Sequence, residues 1–135
     1  MAPTLDACER ILLAAKEAGT VFMVAANSQY WPEIEIAQQA IDAGAIGEIV
    51  TARGQLFFPP MEQYYGGEKD WRKDKQAAGG GLSIDTGSHY IRPLRMWLGE
   101  IDEVIAALAH PLDRMEGESL ARALMRFESG VIAQF

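Results

Sequence analysis

Asp85 and His89 stand four residues apart in the run Gly-Gly-Gly-Leu-Ser-Ile-Asp-Thr-Gly-Ser-His-Tyr-Ile-Arg-Pro-Leu-Arg-Met-Trp-Leu-Gly, residues 79–99. On a helix that spacing stacks the carboxylate and the imidazole on one face, with Arg92 one turn further on. Imidazole titrates near neutrality, so such a column can hold and move a proton. A plain solvated surface looks the same, since any helix with one apolar stripe turns polar groups away from it. Two other stretches carry site chemistry. Trp71-Arg72 joins a flat apolar ring to a forked donor for phosphate or hydroxyl groups. Asn27 to Tyr30 come directly after a short apolar run, at the position where open α/β sheets bind ligands. Each stretch also reads as an ordinary loop with an aromatic anchor.

Elements must hold these residues in place. Ile84, Ile91, Leu94 and Leu98 recur at helical spacing and predict a helix entered from the three glycines and stopped by Gly99. Pro93 has no N–H for the His89 carbonyl and predicts a kink or interruption there. Upstream, Leu5, Cys8, Ile11, Leu12 and Ala15 predict a helix from Thr4, a good N-cap, to Ala18, with Gly19 as the stop. Val21 to Ala26 form a continuous apolar run, the pattern of a strand buried on both faces. Pro32 suits the first position of a second helix that ends at Gly44. Glu48 to Phe58 predict a longer strand ended by Pro59-Pro60, and residues 61–78 a charged, aromatic loop. Ile101–Ala109, Leu120–Phe127 and Val131–Phe135 predict strands, the last two joined by the tight turn Glu128-Ser129-Gly130. The expected class is α+β, an open and largely antiparallel sheet with helices on one face.

The composition narrows the partners. A chain of 135 residues with 49% apolar content can bury one real core but hardly two. A net charge of −7 and a pI near 4.8 argue against nucleic acid or anionic membrane as partners. No apolar run reaches the length of a membrane span, and the first residues lack a signal-peptide pattern. The single cysteine, Cys8, cannot form an internal disulfide and suits a reducing, cytoplasmic setting. His89 and His110 lie far apart without a spaced ligand set, so no metal is expected.

Six motifs then fall in order along nearly the whole chain. They are Ile-Asp-Ala-Gly-Ala-Ile-Gly-Glu-Ile-Val at 41–50, Trp71-Arg72, Gly79-Gly80-Gly81, Asp85-Thr-Gly-Ser-His89, Trp97-Leu-Gly-Glu-Ile101 and Phe127-Glu-Ser-Gly130. Together they resemble the glucose-fructose oxidoreductase / inositol dehydrogenase / rhizopine-catabolism family of nicotinamide-dependent oxidoreductases. The resemblance implies NAD or NADP as cofactor and a small polyol or sugar-like substrate. It gives His89 the acid/base role on a sugar or cyclitol hydroxyl, with Asp85 orienting the imidazole or binding a hydroxyl. Asn27, Tyr30, Trp71 and Arg72 become the cofactor- and substrate-facing residues. Residues 1–47 would be the C-terminal remnant of a dinucleotide-binding domain, and 48–135 an incomplete substrate and oligomerisation domain that self-associates through its sheet.

One departure shapes the expected activity. The family's Gly-x-Gly-x-x-Gly turn and its Glu-Lys-Pro lysine have no counterpart in this sequence, and Met1-Ala2-Pro3-Thr4 resembles the family's residues just after that lysine. The expectation is the back part of a dehydrogenase that neither holds the cofactor nor turns over alone. The competing class is a non-catalytic module that binds a sugar-like ligand or pairs with another subunit.

Overall fold

A computed structural model describes residues 2–57 and 70–135. The proline pair at 59–60 and the aromatic stretch 61–69 lie outside the described residues. Helix α1, Leu5–Glu17, starts as its cap predicts: the Thr4 hydroxyl accepts from the Ala7 N–H at 3.2 Å, and Asp6 lies in the positive first turn. Helix α2, Pro32–Asp42, has its proline in the first turn, where no N–H is needed.

Between these helices the expected buried strand does not form. Val21 is 99% and Met23 79% exposed, and no strand among the described residues pairs with Val21–Ala26. A run that apolar needs a neighbour on each side to become a buried strand, and the described residues offer none.

The sheet has the order β1-β4-β3-β2, from β1 (Thr51–Arg53), β2 (Ile101–Ala109), β3 (Leu120–Phe127) and β4 (Ile132–Gln134). β2 pairs antiparallel with β3, and β3 antiparallel with β4, as the short turn demands. β1 joins β4 in parallel, a pairing that only a long crossover allows. The strand expected over 48–58 is thus three residues long. Beyond it the Gly54 N–H still donates to the Gln134 carbonyl at 2.8 Å, and a Cβ at Gly54 would lie 3.2 Å from Leu94.

β3 alternates as a half-buried strand should: Met125 and Phe127 point into the core, Leu124 and Arg126 away from it. The core is Leu94 and Leu98 against Met125, Phe127 and Ala133, flanked by Ala52, Trp97, Ile101 and Phe135. One helix therefore covers one face of the sheet, as expected.

The 79–99 stretch is more finely divided than its periodicity suggests. A short helix α3, Lys75–Ala78, ends at Gly79 with φ +84°. Ser83–Gly87 then form a wide π turn, and α4, Ser88–Leu98, comes directly after it and ends at Gly99. Pro93 sits inside α4 without interrupting it, so the irregularity falls upstream of the expected place. Close packing accompanies it. A Cβ at Gly87 would approach the Phe135 ring to 3.3 Å, and the widened turn lets the backbone come that near.

Candidate active site

Three segments converge on the π turn and the start of α4. The first is the one-turn 3-10 segment Trp71–Lys73, capped by Asp70, whose carboxylate accepts from the Arg72 backbone N–H at 3.1 Å. That cap aims the Arg72 side chain. Its guanidinium lies 4.6 Å from the centre of the Trp71 ring, with NH1 3.4 Å from Asp70 Oδ1 and Nε 3.5 Å from Asp85 Oδ2. Asp85 and Arg72, singled out separately from sequence, are thus an ion pair. The simple column of Asp85 beneath His89 assumed regular helix, and the i→i+5 bonding of the π turn changes that phase. Asp85 sits within the π turn and His89 in the first turn of α4, both half-buried.

The second segment is the 3-10 turn Asn27–Tyr30, docked on α4 one turn beyond His89. Arg92 donates from Nε and NH2 to Gln29 Oε1 at 3.1 and 3.0 Å. Trp31 meets Tyr90 edge to face, with ring centroids 6.3 Å apart. Asn27 and Tyr30 themselves are exposed, as is the Trp71 ring. Among the buried hydroxyls near these junctions, those of Ser28 in the turn and Thr86 in the π turn lack a hydrogen-bond partner among the described residues. A buried unpaired hydroxyl costs about 1–3 kcal/mol and is a feature that functional sites retain.

The third segment escaped the sequence reading. Glu118, just before β3, is buried, and its carboxylate accepts from the Gly81 and Ser83 N–H groups, each at 3.0 Å. Burial alone would raise its pKa. Hydrogen bonds from its own backbone, from Ser83 and from the Gly81 backbone outweigh that and hold the carboxyl below its ordinary value. Two acids around a glycine, Glu116-Gly117-Glu118, were the only sign of it in the sequence.

A mostly apolar cleft of about 280 Å³ opens on another side of the π turn, lined by Phe57, Leu82, Ser83, Gly87, Arg122 and Phe135 among others. Neither Asp85 nor His89 lines it, so the ionisable chemistry and the larger void do not coincide. Among the described residues no cluster of His, Cys, Asp and Glu could hold a metal ion, and no helix is long and apolar enough to cross a membrane.

With this geometry in place, comparison with known proteins defines the class. Residues 34–135 match the GFO/IDH/MocA C-terminal domain, and the chain belongs to that family. Among curated relatives it is 31% identical over its whole length to a 1,5-anhydro-D-fructose reductase of Ensifer adhaerens, covering 40% of that protein. A levoglucosan dehydrogenase of Pseudarthrobacter phenanthrenivorans is 33% identical over 71% of the chain and 24% of its own length. Among solved structures, the WlbA dehydrogenase from Bordetella pertussis, in complex with NADH and UDP-GlcNAcA, superposes with a TM-score of 0.84 at 25% identity. That match covers 99% of this chain and 41% of the dehydrogenase. An aldose-aldose oxidoreductase from Caulobacter crescentus, complexed with glycerol, gives 0.78 at 26% identity, over 99% of this chain and 40% of that one. The chain spans well under half the length of these relatives.

Proposed function

We propose that this chain is the substrate-facing and proton-handling part of an NAD- or NADP-dependent oxidoreductase acting on a sugar or cyclitol hydroxyl. The observation that carries the reading is the convergence of the Arg72–Asp85 pair and His89 on one helix junction, in a chain of this family. Oxidising an alcohol removes a hydride from carbon and a proton from oxygen. His89 takes the proton on its imidazole, and Asp85, held by Arg72, accepts a hydrogen bond from a neighbouring hydroxyl. A nicotinamide cofactor supplies the hydride acceptor.

The described residues fit one end of such a cofactor. Trp71, Tyr30 and Asn27 offer exposed aromatic and amide surface for a nicotinamide edge. The glycine-rich turn at 79–81 does not fit the phosphates, because its Gly81 N–H is already given to the Glu118 carboxylate, which would repel them. Residues 1–47 are assigned to a dinucleotide-binding unit and 48–135 to the substrate unit. The exposed apolar groups of α1 and Val21–Val24 support this, since they need a surface to cover them. Ile105, Leu124 and Ile132 on the open face of the sheet support self-association through that face.

The test uses NADH and NADPH fluorescence on the chain by itself and on a chimera joining it to a relative's nicotinamide-binding domain. Binding at micromolar concentration is expected in the chimera only, with turnover on a panel of sugars and cyclitols. Micromolar binding by the chain alone would overturn the cofactor assignment. A folded, NADH-binding chimera inert on every substrate would favour the non-catalytic module. Light scattering reads the association, where a monomer throughout the micromolar range counts against it.

A further inference from the structure

The tripeptide Glu116-Gly117-Glu118 grips both halves of the site. Glu116 donates its backbone N–H to the Lys73 carbonyl at 3.0 Å, and its carboxylate accepts from the Lys75 N–H at 3.1 Å. These bonds fix the segment that presents Trp71 and Arg72. Glu118, 8% exposed, takes the Gly81 and Ser83 N–H groups on its carboxylate, while its carbonyl takes the Leu82 N–H at 2.9 Å. These bonds fix the entry to the segment that presents Asp85 and His89. Between the two acids the backbones touch. A Cβ on Gly117 would lie 2.6 Å from the Gly80 carbonyl oxygen, and one on Gly81 would lie 2.0 Å from that of Glu118. Behind them His110 Nδ1 stands 3.1 Å from the Gly117 carbonyl. A carbonyl only accepts, so that nitrogen carries the proton.

Helical segments begin with N–H groups that have no partner inside the helix, and a nearby side chain usually caps them. Here the cap comes from more than thirty positions away, which makes it a tertiary strut. A buried carboxylate is costly unless donors surround it, and these donors belong to the residues that lead into the site. We propose that Glu118 is a positioning residue: through Gly81 and Ser83 it sets where Asp85 meets Arg72 and where His89 stands. This inference rests on the oxidoreductase reading for its catalytic consequence and on geometry alone for its structural one.

The experiment monitors nitrogen-labelled full chain by NMR, reading solvent exchange of the Arg72 Nε–H and the His89 ring signals. In Glu118→Gln, which keeps one acceptor and loses the charge, Arg72 exchange should quicken at least tenfold and the His89 signals should shift. Glu118→Asp, with both acceptors and the charge, should recover most of the parent's behaviour. Parental exchange and His89 signals in folded Glu118→Gln would overturn the proposal. If that variant does not fold, Ser83→Pro, which deletes one of the two N–H groups that Glu118 holds, should speed Arg72 exchange on its own, and unchanged exchange there would overturn the proposal. Failure of the oxidoreductase reading would look different: the parent chimera would lack turnover while the Arg72 exchange effects persisted.

Discussion

Arg72 Nε stands 3.5 Å from Asp85 Oδ2, with the Arg72 guanidinium laid over the Trp71 ring and a second carboxylate, Asp70, at its NH1. The contact joins the 3-10 segment to the π turn, thirteen positions further along, and aims the Asp85 carboxylate. A planar fork shared between two carboxylates and stacked on an indole is a task a lysine does poorly.

That geometry separates stability from function. Asp85→Asn and Arg72→Lys should each cost under about 1 kcal/mol in urea unfolding, because the pair is partly open to water. Turnover of the chimera should fall more than about tenfold in either variant, through misplacement of the reacting hydroxyl. Loss of stability larger than loss of turnover would mark the pair as a structural strut only.

His89→Ala should lower turnover of the chimera by about 10²–10⁴-fold with far less change in NADH affinity. Steady-state kinetics beside a fluorescence titration read the two quantities. Turnover within a few-fold of the parent would return His89 to the class of surface histidines.

The acid limb of stability should carry the mark of Glu118. Its folded pKa lies below the unfolded one, so the native state holds this proton less readily. The stabilisation is therefore present above the unfolded carboxylate range and drains away as pH falls through the folded value. Glu118→Gln should be less stable than the parent at pH 7, with the gap closing in acid. Parallel urea titrations from neutrality downward test this. A gap that stays constant with pH would mean the carboxyl titrates normally.

Two glycines make a matched comparison. Gly44 has φ +67° and open space around its missing Cβ, so Gly44→Ala should cost only the backbone strain, about 1–2 kcal/mol. At Gly81 a Cβ would meet backbone at 2.0 Å on the neighbouring segment, and neither side is a flexible side chain that can swing away. Gly81→Ala should cost markedly more and disturb the Asp85 amide signal. Equal losses in thermal melts would show that the two backbones can part freely.

The sequence revealed the parts with local causes. Thr4, Pro32 and Gly99 punctuate helices where cap chemistry says they should, and β2 and β3 arise from their composition and turns. Asp85, His89, Trp71 and Arg72 were visible as reactive types. Their pairing was not, because Asp85 lies in a π turn that breaks regular helical phase, and that turn packs at Gly87 against Phe135, forty-eight positions downstream. Val21–Ala26 misled for a related reason: apolar periodicity reports what a segment would bury, and the partner must still be there. Glu118 carries no local signal of its role, since its donors lie more than thirty positions upstream.

The parallel pairing of β1 with β4 has a kinetic consequence. The Thr51 hydroxyl donates to the Ile132 carbonyl across 81 positions of chain, and Trp71, Arg72, Asp85, His89 and Glu118 all fall inside that loop. Closing so long a loop costs little more entropy than closing a short one, yet it waits on a slow, non-local encounter. On a ribosome, the segment from 54 to 131 must emerge before β4 can seat against β1. Until then Met125 and Phe127 lack the full packing of their sheet. β4 is thus the latch of the site, and a substitution that slows its docking would lower the yield of folded protein with no change in the chemistry of any residue it encloses.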